Sequence, residues 1–265
     1  MKIFDILDAD RKDPAGILMY YEKSGTFIIE LQDHLDEWTA PLLFTGLVRH
    51  RVFTVPRDIS LMWVRERLIP PSRQNIGMIL SNHKLESYDE IKMLEITRGI
   101  CSQDSLYIKG RDSLPEYVLR RQEKNLLDCV VCSECRLICF FADDTIRVID
   151  LKDIKENEGV DKVLSNEKLY QTGMISPGGY AVTFNDSIDI PAYILHRAGT
   201  ELPVKRQDLM AFIQRNILDT TESGRLMGCT RQNISYLVKK NRLQPVKEEV
   251  KGNLYLKGEL LKNTW

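Results

Sequence analysis

A chain of 265 residues that is 43% hydrophobic and 28% charged has a globular composition, which excludes wholesale disorder and collagen-like order. Its 37 Lys and Arg against 38 Asp and Glu give a formal net charge of −1, so the chain as a whole carries no basic footprint. The charge is unevenly divided: residues 201–265 hold 12 basic and 7 acidic side chains (net +5), and the remaining 200 residues hold 25 and 31 (net −6), the pattern of a basic tail module on a mildly acidic body.

The first residues, Met1-Lys-Ile-Phe-Asp-Ile-Leu-Asp, turn acidic at once and lack the apolar core of a signal peptide. No apolar run approaches about 18 residues, so no membrane partner is expected. A cytoplasmic location follows as the expectation, with the six cysteines present as thiols or ligands rather than as a disulfide framework.

Residues 16–31 read as a hairpin, two β-prone apolar runs flanking Lys23-Ser24-Gly25. Ile59, Met62, Trp63 and Glu66 fall at helical spacing over 59–68, and Pro70-Pro71 stops that helix. Ser72 is the expected cap of a helix from Arg73 to about Asn82, with Ile76, Ile79 and Leu80 as its stripe. A further helix covers Tyr88 to Thr97 and ends at Gly99, a short strand covers 105–109, and Glu116–Leu127 reads as a charged helix or linker.

Residues 129–151 are strand-rich, with turns between Cys132 and Leu137 and at Asp143-Asp144. After a polar loop, 163–170 reads as a helical turn, Pro177-Gly178-Gly179 leads into a strand over 180–184, and a helix beginning near Pro191 carries Tyr193 and Leu195.

The most informative stretch is Thr220–Lys239. Thr220 or Thr221 is the expected cap of a short helix, Gly224 is the small residue where two helices must approach, Met227 is apolar, Gly228 suits a left-handed turn, and Cys229 is small. Thr230 caps the following helix, whose apolar positions are Ile234 and Leu237. This is the pattern of a helix-turn-helix, with Gly224 where Ala is usual, at some cost in helix stability.

Thr230, Arg231, Gln232, Asn233 and Ser235 occupy the start of the second helix, the end that enters the major groove in this motif. Arg pairs with guanine, and Gln and Asn with adenine. From Gly224 to Lys247 there are six basic residues and no acidic one, and Lys239, Lys240 and Arg242 are placed to meet phosphates. Lys251, with Gly252 and Asn253 between Val250 and Leu254-Tyr255-Leu256, reads as the basic tip of a wing hairpin. The competing reading is a helical hairpin that packs on protein.

Three resemblances accompany these motifs. The run Gly228-Cys-Thr-Arg-Gln-Asn-Ile, followed by a basic stretch and Leu254-Tyr-Leu-Lys-Gly-Glu-Leu, resembles the winged helix-turn-helix of MerR-like and excisionase-like proteins over about 45 residues. The runs at 137–151, 163–170 and 179–190 resemble a small bacterial β-rich domain of unknown function that accompanies helix-turn-helix proteins and toxin–antitoxin loci; Asp144 and Tyr170 depart mildly from its Gly and Phe. Residues 61–108 are similar to the segment that precedes the kinase-like domain in some HipA-like proteins, where Arg65, Arg67 and Arg73 are candidates for an anionic partner, or for pairing with Glu66 and its neighbours. The chain carries no glycine-rich phosphate loop and no His-Arg-Asp run, so phosphotransfer is not implied.

Cys129, Cys132, Cys135 and Cys139 have the C-x-x-C-x-x-C-x-x-x-C spacing of iron–sulfur proteins. Phe140 stands where Pro would follow, and Val130, Val131, Leu137 and Ile138 read as strand rather than ligand loop, so the favoured reading is small buried side chains in a hairpin. An iron–sulfur cluster or a zinc knuckle is the alternative. Cys101 and Cys229 are expected in the core, Asp150 and Asp189 at turns and strand ends, and the four histidines show no ligand spacing.

The sequence therefore reads as an α+β protein with an N-terminal mixed module (1–115), a linker helix (116–128), a small β-rich domain (129–200) and a winged helix-turn-helix (201–265). No catalytic constellation, cofactor or metal is expected. The expected function is sequence-specific binding of double-stranded DNA, as a transcriptional regulator or antitoxin-like repressor, by a homodimer, with the N-terminal module as a possible contact for a protein partner. The alternative is a protein-binding adaptor or inhibitor of a toxin or nuclease.

Overall fold

The computed structural model describes residues 1–11, 13–247 and 265. The architecture is α+β, with antiparallel sheets throughout the described residues. The chain divides into two units: Met1–Asn125 with Ser176–Tyr180 and Trp265, and residues 126–175 with 181–247.

The first unit is built on a five-stranded sheet. Its strands are β1 (Lys2–Asp8), β2 (Pro14–Tyr21), β3 (Thr26–Leu31), β4 (Thr54–Val55) and β5 (Leu106–Arg111), in the order β4-β3-β2-β1-β5. The hairpin expected over 16–31 forms, with Ile17 opposite Glu30 and Tyr20 opposite Phe27. Both faces of this sheet are covered, so the central strands are nearly continuous apolar runs rather than alternating ones. Leu18, Phe27, Ile29 and Leu31 share one core with Trp63, Val64, Ile91 and Leu94. Ile17, Met19, Tyr21 and Ile28 share the other with Val118 and Tyr180.

The helices are α1 (Thr45–Arg49), α2 (Arg57–Arg65), α3 (Ile76–Asn82), α4 (Glu90–Thr97) and α5 (Glu116–Gln122). Helix α4 starts where Asp89 accepts hydrogen bonds from the N–H groups of Ile91 and Lys92. Helix α3 begins later than expected: Asn75, not Ser72, is its N-terminal flank, and its two ends lack side-chain caps. Residues 73–75 stay outside the helix, with 74 and 75 in a turn.

Residues 116–128 do not form a linker helix. Helix α5 ends at Gln122, with Val118 fully buried in the second core of the first unit. The chain then begins a strand at Leu126.

The second unit opens with the strands β6 (Leu126–Val131), β7 (Arg136–Phe141) and β8 (Ile146–Asp150), a meander. Leu137, Cys139 and Phe141 alternate onto its buried face. Asp150 caps the turn after β8 through the Lys152 N–H, as expected of a strand-end carboxylate. Helices α6 (Val160–Leu164) and α7 (Glu167–Tyr170) precede the short β9 (Met174–Ile175), β10 (Ala181–Phe184) and β11 (Ile188–Pro191), which form a second sheet in the order β11-β10-β9. Helix α8 (Ala192–Ala198) follows, and β12 (Thr200–Glu201) adds an edge to β8. Three helices follow among the described residues: α9 (Arg206–Asn216), α10 (Thr220–Met227) and α11 (Arg231–Lys239). No helix among the described residues is long and apolar enough to cross a membrane.

Candidate nucleic-acid interface

The pair α10–α11 is assembled from local signals. Asp219, rather than Thr220 or Thr221, caps α10. Its carboxylate accepts from the N–H groups of Thr221 (2.6 Å) and Glu222 (2.7 Å), and Glu222 reaches back to the Asp219 N–H (2.9 Å). This reciprocal capping box is legible as Asp-x-x-Glu. The bond from the Glu222 N–H is the main cause that holds the Asp219 carboxyl below its ordinary pKa.

Gly228 ends α10 in the left-handed conformation (φ 62°, ψ 32°), and the Cys229 N–H donates to the Gly224 carbonyl at 2.9 Å. Gly224 is itself buried, and a Cβ there would lie 2.8 Å from the Cys229 carbonyl oxygen. The departure from Ala at this position thus has a steric cause. Thr230 then caps α11, its hydroxyl accepting from the Asn233 N–H at 3.3 Å.

Ile234 is buried and Leu237 half-buried on the inner side of α11. Met227 is not an inward position: it is 52% exposed, and its neighbour Leu226 is 77% exposed. Cys229 and Cys101 are half-buried, not core residues.

Arg231, Gln232, Asn233 and Ser235 are all exposed, as are Thr230, Lys239, Lys240 and Arg242. Gln232, Ser235, Tyr236 and Lys239 are spaced three and four residues apart and fall on one outward stripe. The first turn of α11 contains no acidic residue and its last turn carries Lys239. Its free N–H groups and its positive dipole end therefore coincide with the Arg-Gln-Asn side chains. Lys240 leans over the Tyr236 ring at 5.9 Å. Lys251 and the expected wing lie outside the described residues.

Other expected contacts resolve differently. The Arg67 side chain is 1% exposed: it pairs with Asp104, donates to the Trp63 carbonyl and stacks on the Trp63 ring, so it is a structural residue of the first core. Arg65 pairs with Glu90 at 3.2 Å. Among the described residues, no group of three or more His, Cys, Asp or Glu side chains is placed to hold a metal ion.

Two polar arrangements were not read from the sequence. His196 Nε2 lies 2.8 Å from Asp143 Oδ2, joining residues 53 positions apart. In the first unit, Glu30 is fully buried on the α5 face of the sheet. It accepts from Arg121 at 2.6 Å and from the Thr54 hydroxyl at 3.0 Å, and Arg121 also donates to Asp33. Burial drives the Glu30 pKa up to about 7 against the opposing pull of Arg121, Thr54 and Tyr180. The sequence signal was present: a carboxylate inside the apolar run Phe27-Ile-Ile-Glu-Leu. Its partner lies 91 residues away.

A scan against protein-family models, a comparison with curated proteins and a comparison with solved structures each return no match.

Proposed function

We propose that the protein binds double-stranded DNA sequence-specifically through α10 and α11, as a homodimeric transcriptional regulator or antitoxin-like repressor. One observation carries the reading: a Thr230-capped helix whose exposed first turn is Arg231-Gln232-Asn233, set after a Gly228 turn and flanked by Lys239, Lys240 and Arg242. In this reading α11 lies in the major groove, the Arg, Gln and Asn side chains contact base edges, and the lysines and Arg242 contact phosphates. One such motif covers few base pairs, so two copies on a two-fold site supply useful specificity.

The test is a set of single variants on a preferred duplex and a random one. Arg231→Ala and Gln232→Ala are expected to relax base preference, each by about 1–3 kcal/mol. Lys239→Ala is expected to weaken both duplexes alike and to lower the slope of log K against log salt by about 1. Equal effects of all three on both duplexes would overturn the assignment.

The exposed Leu226 and Met227 on α10 favour a second reading, in which the same helices contact protein and the chain is an adaptor or an inhibitor of a toxin or nuclease. Tight, salt-insensitive association with a protein partner in the absence of DNA would support it.

A further inference from the structure

Cys129 and Cys139 stand directly opposite each other on β6 and β7, and their sulfurs are 3.8 Å apart. The hairpin closes at Cys132 and Arg136, where the Cys132 N–H donates to the Arg136 carbonyl at 2.8 Å. By the alternation of antiparallel ladders, Cys129 and Cys139 three residues further in form a non-hydrogen-bonded pair, in which side chains stand closest. Cα separations of about 4.5–5.5 Å in such ladders fall within the roughly 4.4–6.8 Å that a disulfide spans. Closing the bond therefore needs rotation of two sulfurs and little movement of the strands.

Both thiols are buried, at 2% and 0% exposure, and burial pushes the Cys139 thiol well above its ordinary pKa. Burial makes their attack on an outside disulfide slow. Cys132 stands three residues beyond Cys129 at the end of the hairpin, where its thiol donates to the Val130 carbonyl. The hydroxyl oxygen of Tyr170 lies 2.6 Å from both the Cys132 and the Arg136 carbonyl oxygens, so its single proton bridges this hairpin end.

We propose that Cys129 and Cys139 are a reversible redox dithiol, closed by small-molecule disulfides. The Cys129 thiolate attacks one sulfur of the small disulfide and releases its other half as a thiolate. The Cys139 thiolate then attacks the Cys129 sulfur, closing the bond and releasing the second half as a thiolate. The net change is oxidation of two protein thiols by two electrons and reduction of one small disulfide to two thiols, which take up the two protons. The product locks β6 to β7 by a covalent rung.

The experiment uses the full chain, reduced and then held in mixtures of oxidised and reduced glutathione, with free thiols alkylated and the protein digested for peptide mass mapping. The expected result is a Cys129–Cys139 linked peptide, loss of two alkylatable thiols, and reversal by dithiothreitol. Cys132→Ser is expected to give the same Cys129–Cys139 linkage. The proposal is overturned if Cys129 and Cys139 stay alkylatable in the oxidised mixture, or if the linkage maps to Cys132–Cys135. The wild-type mapping alone decides the pairing, so the outcome does not depend on any variant folding.

Discussion

Replacing Glu30 by Gln removes an ionisable group that the sheet of the first unit buries completely, and its effect on stability depends on pH in a defined direction. Glu30 is surrounded by Arg121 and Tyr117 of α5, Thr54 of β4, Tyr21 of β2, Asp33 and Tyr180. Its pKa is about 7 in the fold against 4.5 for the free side chain, so the folded state holds its proton more tightly than the unfolded one. Stability is therefore greatest below pH 4.5 as far as this group is concerned, and falls as pH rises toward 7. The difference amounts to about 3 kcal/mol, at 1.36 kcal/mol per tenfold change in proton affinity. In Glu30→Gln that component vanishes. Arg121 keeps Asp33 and some contact with water, its side chain being 20% exposed, so it is not left as a bare buried charge. The variant should match the wild type near pH 4.5 and exceed it by about 3 kcal/mol at pH 8. Arg121→Met should do the reverse, costing about 3 kcal/mol or more at pH 8 and much less at pH 5, where Glu30 is protonated. Urea unfolding of the full chain at a series of pH values, followed by the fluorescence of the buried Trp63, reads both. Parallel curves for wild type and Glu30→Gln between pH 5 and 8 would refute the reasoning.

Gly224→Ala should weaken the helix pair even though Ala is the better helix former by about 1 kcal/mol, because the added methyl meets the Cys229 carbonyl oxygen at 2.8 Å. Loss of α10–α11 helicity in circular dichroism, with weaker DNA binding, is expected, and a more stable variant would contradict the close approach. Asp219→Ala removes the carboxylate half of the capping box, leaving the bond from the backbone N–H of residue 219 to Glu222, and should cost about 1 kcal/mol in the same assay. A neutral effect would show that α10 is set by packing instead.

How much of this was legible in the sequence depended on the range of the interaction. The hairpin β2–β3, the turn at Gly228 and the Thr230 cap are decided by residues within a few positions of one another, and they fall where the pattern places them, whereas α4 starts at Glu90, after its Asp89 cap, rather than at Tyr88. The strand β1 escaped notice because its apolar residues, Phe4 and Ile6 among the buried ones, are interleaved with Asp5 and Asp8, and its partner β5 begins at Leu106. Ser72 looked like a cap and is not one, because the helix starts only after Asn75. Residues 116–128 read as a linker helix because Glu116, Arg120 and Arg121 advertise a solvated surface, whereas the helix stops at Gln122, Val118 is buried and Arg121 meets Glu30 from across 91 residues. At the interface, the polar start of α11 was visible in the sequence. The exposure of Met227 was not, since it depends on which side of α10 the neighbouring helix covers.

The central claim is that α11 reads DNA, and the measurement that meets it most directly is equilibrium binding of the full chain to DNA flanking its own gene and to random duplex, at two salt concentrations. The account predicts binding that weakens steeply with salt, as release of counterions from several phosphates requires, together with a clear preference for its own DNA. Absence of binding to either duplex at low salt would contradict it, and would leave the exposed side chains of α10 and α11 as a surface for protein.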